Sequence, residues 1–142
     1  MHSVYLTDYF ILSLKRYHFE TKVKAMNDFG KPLEQLVEEP LTVFVCATTG
    51  QGDQPDNMMT FWRSLLKRTL PKDILNGHNF AVLGLGDSGY AQFNYAAKRL
   101  NRRLSQLGGH CIVNIGKLLC YYKYALKNMT ILLNIPDQIL VP

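Results

Sequence analysis

Two stretches, Leu41-Thr42-Val43-Phe44-Val45-Cys46-Ala47 and Phe80-Ala81-Val82-Leu83-Gly84-Leu85, are apolar with almost no polar alternation. A strand exposed on one face alternates, whereas one buried on both reads as a continuous apolar run. Each stretch runs into a glycine-rich turn, the first at 48–53 and the second at 86–94. Between them Met58, Phe61, Trp62, Leu65 and Leu66 recur at helical spacing opposite Arg63, Lys67 and Arg68. That pattern predicts a helix opened by Pro55-Asp56, with Asp56 as N-cap and Trp62 in the core. A second helix is expected from Tyr90 or Ala91 to Leu107, its stripe made by Phe93, Ala96, Ala97, Leu100, Leu104 and Leu107, with Gly108 as C-cap. Residues 110–115 read as the next strand. Strand, helix, strand, helix, strand at these lengths predicts an α/β fold, a doubly wound parallel sheet with helices on its faces.

The ends are less regular. Residues 1–19 are aromatic and apolar without a period, open to a strand or a short helix. Residues 21–26 alternate as a short edge strand does, and Asn27-Asp28-Phe29-Gly30-Lys31-Pro32 stops it with turn formers. Residues 33–39 suit a brief helical turn closed by Pro40. Past Lys117 the tyrosines and aliphatics crowd together, and a last helix over 118–133 is expected despite its poor polar face.

At 142 residues and 47% hydrophobic, the chain suits one compact domain. The net charge of +5 raises the question of nucleic acid, which its distribution answers. Residues 19–116 hold eleven Lys/Arg against nine Asp/Glu, so the excess lies mostly in the flanks. Lys98, Arg99, Arg102 and Arg103 read as a solvated helix face rather than a nucleic-acid stripe. Cys46, Cys111 and Cys120 form no paired motif, which points to a reducing compartment with neither disulfide nor metal. His2, His18, His78 and His110 share no ligand spacing. No apolar run approaches the roughly 18 residues of a membrane span, and the start makes a poor signal peptide. A cytoplasmic protein that contacts neither nucleic acid nor membrane is expected.

Candidate chemistry sits in the two glycine-rich turns. In open α/β sheets, ligands bind outside the carboxyl ends of the strands, and both turns leave a strand there. Gly50, Gly52, Gly86 and Gly89 allow close backbone approach. Thr48, Thr49, Ser88 and Asn94 supply short polar groups, and Tyr90 and Phe93 an aromatic face. Gly84-Leu-Gly86-Asp-Ser-Gly89 satisfies G-x-G-x-x-G, but the acidic residue that a dinucleotide site needs about 20 positions later is missing. Asp53, Asp56 and Asp87, with Lys117, could suggest a receiver-type cluster; a helix cap and two turn formers account for those aspartates better. No Ser/His/Asp or Cys/His arrangement follows from the spacing, so any redox or transfer chemistry must come from a cofactor.

Ala47-Thr-Thr-Gly-Gln-Gly-Asp-Gln-Pro-Asp-Asn57 and Leu83-Gly-Leu-Gly-Asp-Ser-Gly-Tyr-Ala-Gln-Phe-Asn94 strongly resemble the FMN-binding flavodoxin-like domain of the NADPH-dependent diflavin reductases. Phe61-Trp-Arg and the run from Ala97 to Gly109 look like the same family. The Thr48-Thr49-Gly50-Gln51-Gly52-Asp53 loop is similar to that of the cytosolic reductase feeding iron–sulfur cluster assembly. The resemblance implies a flavodoxin-like fold and FMN contacts from Ala47, Thr48, Thr49, Gly50, Leu85, Gly86, Asp87, Ser88, Gly89, Tyr90, Ala91, Gln92, Phe93 and Asn94, with Tyr90 stacking on the ring. It also implies electron transfer from a reduced FAD to a protein acceptor. Enzymatic NADPH oxidation would then require a longer protein or partner carrying the FAD and NADPH modules.

The likeness covers residues 19–116. Residues 1–18 and 117–142 do not resemble the family. The Ser/Thr-x-Thr-Gly-x-Ala loop that follows the family's first strand and holds the FMN phosphate has no counterpart in residues 1–40, and the loop after the fifth strand also departs. Two or three lost phosphate hydrogen bonds would weaken binding by roughly three decades or more. A missing first strand should also expose sheet edges. The expectation is therefore a fold incomplete at its first strand and phosphate loop, from a truncated or alternatively spliced product or an imperfect gene model. The alternative function is a non-catalytic remnant, acting as an interaction module or unstable as a fold.

Overall fold

The computed structural model describes residues 15, 20–28, 32–85, 89–113 and 129–134. In chain order these form strand β1 (Glu20–Lys24), a 3-10 turn (Met26–Asp28), helix α1 (Pro32–Glu38), β2 (Leu41–Ala47), α2 (Asp56–Leu65), β3 (Asn79–Leu85), α3 (Tyr95–Gln106), β4 (His110–Cys111) and β5 (Met129–Asn134). The strands make one sheet in the order β1-β5-β2-β3-β4.

The two continuous apolar runs become β2 and β3, paired in parallel from Leu41↔Asn79 to Ala47↔Leu85. β4 adds to β3 in the same sense, and the Ile112 amide extends that ladder by donating to the Phe80 carbonyl at 2.9 Å. Alternate residues of β2 and β3 separate into two cores. Phe44, Cys46, Phe80 and Val82 pack with α1, α2 and α3, while Leu41, Val43, Val45, Ala81 and Leu85 form a cluster on the other face. All three described helices thus lie on one side of the sheet. Phe44 and Phe61 stack at 5.7 Å between ring centroids, which ties the centre of β2 to α2. Trp62 is buried, as its helical spacing implies, with the Arg99 guanidinium 5.2 Å above its ring.

β5 departs from the expected architecture. It lies between β1 and β2 and runs antiparallel to both, with Val23↔Ile131 on one side and Val43↔Ile131 on the other. The last helix expected over 118–133 is therefore a strand from residue 129, and residues 118–128 lie outside the described part. Thr130 and Ile131 are β-branched, and the segment lacks the polar face that a surface helix needs. β5 also closes the gap that a missing central strand was expected to leave. Because two reversals cancel, β1 runs parallel to β2 at the sheet edge.

The helix ends show where local chemistry overrules periodicity. Asp56 is the first residue of α2 and not its cap; Pro55 holds the cap position with φ −67° and no side-chain hydrogen bond. Asp56 instead places an acidic group in the first turn, where the helix dipole favours it. The Asn27 side chain braces this turn from the 3-10 segment: its amide donates to the Asp56 carbonyl (2.7 Å) and its Oδ1 accepts from the Thr60 and Phe61 amides (2.9 and 3.2 Å). α3 begins at Tyr95, not at residue 90 or 91, because Asn94 sits in the left-handed region (φ 52°) and breaks the helical path. Its other end is as expected. Gly108 (φ 92°) donates to the Ser105 carbonyl and Gly109 to that of Leu104, the paired bonds of a Schellman cap.

Candidate functional site

Parallel pairing puts the ends of β2 and β3 side by side, since Ala47 is opposite Leu85. The chain leaving β2 forms a tight loop: the Thr49 and Asp53 amides each donate to the other's carbonyl, at 3.0 and 2.8 Å, and the Thr49 hydroxyl donates to the Asp53 carbonyl. The chain leaving β3 returns through the turn 89–94, where the Phe93 amide bonds the Tyr90 carbonyl and the Tyr95 amide that of Gln92, both at 3.1 Å.

A groove of about 460 Å³ opens between loop and turn, lined by Thr48, Gly50, Gln51, Tyr90, Ala91, Gln92, Phe93 and Asn94. Both glycine-rich turns singled out in the sequence thus meet at one place. Thr48, Gly50, Tyr90, Ala91, Gln92, Phe93 and Asn94 are in the lining, whereas Ala47, Thr49, Leu85 and Gly89 lie outside it; Gly86, Asp87 and Ser88 lie outside the described residues. Gln51 joins the lining without having been singled out. Its place between Gly50 and Gly52 was the available signal, since the loop carries whatever side chain stands there toward the groove.

Two contacts hold the halves of the groove together. The Thr48 hydroxyl accepts from the Ala96 amide at 3.2 Å, so a residue of the first loop caps the helix that follows the second. Gly84 allows α3 to approach β3: a Cβ there would stand 2.8 Å from the Ala97 Cβ and 2.9 Å from the Asn94 Cγ. Above these contacts Tyr90 is 73% exposed. Beneath them Asn94 is fully buried, and neither its Oδ1 nor its Nδ2 has a hydrogen-bond partner. Such orphaned groups cost about 1–3 kcal/mol each.

The donor set suits a planar, uncharged heteroaromatic ring: an exposed tyrosine, a half-buried phenylalanine, glycine backbone and neutral amides. The described lining does not suit a phosphate dianion. Among the described residues no Lys or Arg lines the groove, and Lys98 stands over the Phe93 ring at 5.7 Å instead. β5, in the sheet's central position, enters at this end beside Val45 and leaves at the far end beside Leu41. Burial pushes the Cys46 thiol up to about 12, and among the described residues no three His, Cys, Asp or Glu side chains converge to hold a metal.

The Flavodoxin family model matches residues 11–121. The chain is 50% identical over 101 residues to "NADPH-dependent diflavin oxidoreductase 1" of Bos taurus, covering 71% of this chain and 17% of that protein. It is 45% identical over 105 residues to the Schizosaccharomyces pombe protein of that name, covering 74% and 18%. It thus spans about one sixth of the length of these relatives. Among solved structures, oxidised Flavodoxin 2 from Bacillus cereus superposes with a TM-score of 0.50 at 27% identity, covering 61% of this chain and 55% of that one. Oxidised Flavodoxin 1 from the same organism gives 0.50 at 24% identity, covering 58% and 52%, a likeness of fold. With the groove at the ends of β2 and β3 and a family match over most of its length, this chain belongs to the flavodoxin family.

Proposed function

We propose that the chain is an FMN-binding electron-transfer domain of the diflavin-reductase type. The observation that carries this reading is the groove at the carboxyl ends of two parallel strands, aromatic and neutral, built from the two segments that most resemble those reductases. FMN would supply the redox chemistry, taking electrons from a reduced FAD and passing them singly to an acceptor. The chain's own residues would bind and orient the ring. Tyr90 would stack on it, Phe93 would wall it, and Gly50 and the backbone of the turn would approach its edge. Electrons would come from an FAD/NADPH module carried on a longer protein or a partner. They would go to a protein acceptor, by resemblance an iron–sulfur assembly protein in the cytoplasm. No helix among the described residues is long and apolar enough to cross a membrane.

The test is to load the full chain with FMN, add a separately purified FAD/NADPH reductase module, and follow NADPH-driven reduction of cytochrome c. Reduction several-fold above that of the module alone is expected. A rate equal to the module's own would sink the reading.

A second reading has one observation in its favour. The reversed polarity of β5 favours a flavodoxin-like remnant that serves as an interaction module or an unstable truncated product. Flavin binding of any useful strength would count against it.

A further inference from the structure

The orphaned Asn94 amide and the reversed central strand point to one discrimination at the same groove, and the inference rests on the flavin reading above. We propose that this site recognises a flavin by its ring alone, through the Asn94 side-chain amide, and makes no use of the phosphate.

Asn94 forms the junction between the turn 89–94 and α3, and its αL conformation turns its side chain to neither solvent nor a helix cap. Its Oδ1 and Nδ2 are an acceptor and a donor side by side, both buried and both unpaired. An amide of this kind is complementary to a heterocycle edge that offers an adjacent N–H and C=O, which is what the imide edge of a flavin ring presents. Pairing with such an edge would satisfy both orphans at once. The amide is sealed from water, so pairing requires the overlying turn to part from it. That turn is exposed along Tyr90, Ala91 and Gln92, and the backbone bonds within it span only three residues each.

Among the described residues the phosphate end has no matching provision. The described lining residues are uncharged. The Ala96 amide in the first turn of α3, a donor that a phosphate could use, is already taken by the Thr48 hydroxyl. β5 runs away from the groove, from Met129 beside Val45 to Leu133 beside Leu41. Each charge-assisted bond to a phosphate contributes about ten- to hundredfold in affinity, so a site that used several would prefer FMN over riboflavin by orders of magnitude.

The experiment is a flavin-fluorescence titration of the refolded 142-residue chain with FMN, riboflavin, lumiflavin and 3-methyllumiflavin, at 50 and 500 mM salt. FMN and riboflavin are expected to bind within about threefold of each other at both salt concentrations, and methylation of the ring N–H to weaken lumiflavin roughly tenfold or more. Asn94→Gly removes the amide while keeping a residue that accepts positive φ, and should weaken FMN and riboflavin by the same factor. The methylated ligand carries the test if that variant does not fold. FMN binding more than about thirtyfold tighter than riboflavin, or weakening steeply with salt as Lys98 pairing would require, would overturn the inference and leave the flavin reading standing. Equal binding of lumiflavin and its methylated form would remove the role of Asn94. If none of the flavins binds, both the inference and the flavin reading fall.

Discussion

β2 and β3 run side by side and deliver their chains to the groove, while β5, one strand further along, runs the other way and ends beside Leu41, away from the groove. The two halves of one sheet therefore differ in function although both complete the backbone ladder. Hydrogen bonding and closure of the sheet are met by either strand direction. A binding loop is not, because strand polarity decides at which end the connection emerges. A central position can thus be filled structurally without restoring the loop that a parallel strand would have carried there.

The sharpest way to break this comparison is to end the chain at residue 128. β1 and β2 would each lose the partner between them, and with native stability of only about 5–15 kcal/mol the cooperative thermal transition seen by far-UV circular dichroism should disappear. A truncated chain melting within a few degrees of the full one would mean that the parallel half stands alone. Next in size is Phe44→Ala, which empties the stack on Phe61 in the parallel half and should cost about 3–5 kcal/mol in urea unfolding. Val23→Ala on β1, only half buried, should cost about 1 kcal/mol. Equal losses would erase the asymmetry.

Gly84→Ala is smaller but reaches the groove. The added methyl would meet Ala97 and Asn94 and should cost about 1–3 kcal/mol, with flavin affinity falling because α3 must move outward. Unchanged affinity in that variant would separate the α3 contact from the site.

The smallest effect lies at the far end of the sheet. His78 is 3% exposed, its Nδ1 lies 3.1 Å from the Glu39 carbonyl, and its Nε2 has no partner. Burial holds it below the ordinary imidazole value, while the Glu39 bond opposes this more weakly. The unfolded chain takes up the proton first as pH falls. His78 therefore contributes fully above about pH 6.5, and its contribution is lost on acidification through that value and toward the lower folded one. Urea midpoints between pH 7.5 and 5 should decline, and less steeply in His78→Gln; parallel slopes would assign the acid limb to other groups.

Much of the parallel half could be read from the chain because its signals are local. Continuous apolar runs mark β2 and β3, and the helical stripe places Phe61 and Trp62 in the core. Gly108 marks the end of α3. The glycine-rich turns fall where parallel strands bring them together, so most of the lining was also legible. What escaped depends on distant partners. Nothing local tells that 129–134 will pair between β1 and β2, because strand choice there is decided by the vacancy it fills. Nor does Asn94 advertise its αL backbone, which shortens α3 against a periodicity that continues to residue 90.

The Asn27 brace carries a consequence for the order of folding. Its bonds to Asp56, Thr60 and Phe61 cross 29 to 34 residues of chain, so the start of α2 is tied to a contact that cannot form by local coiling. Closing so long a loop is entropically slow. The first turns of α2 should therefore gain their protection from hydrogen exchange late, after the edge segment has docked, while the C-terminal turn of α3, capped within its own sequence, can settle early.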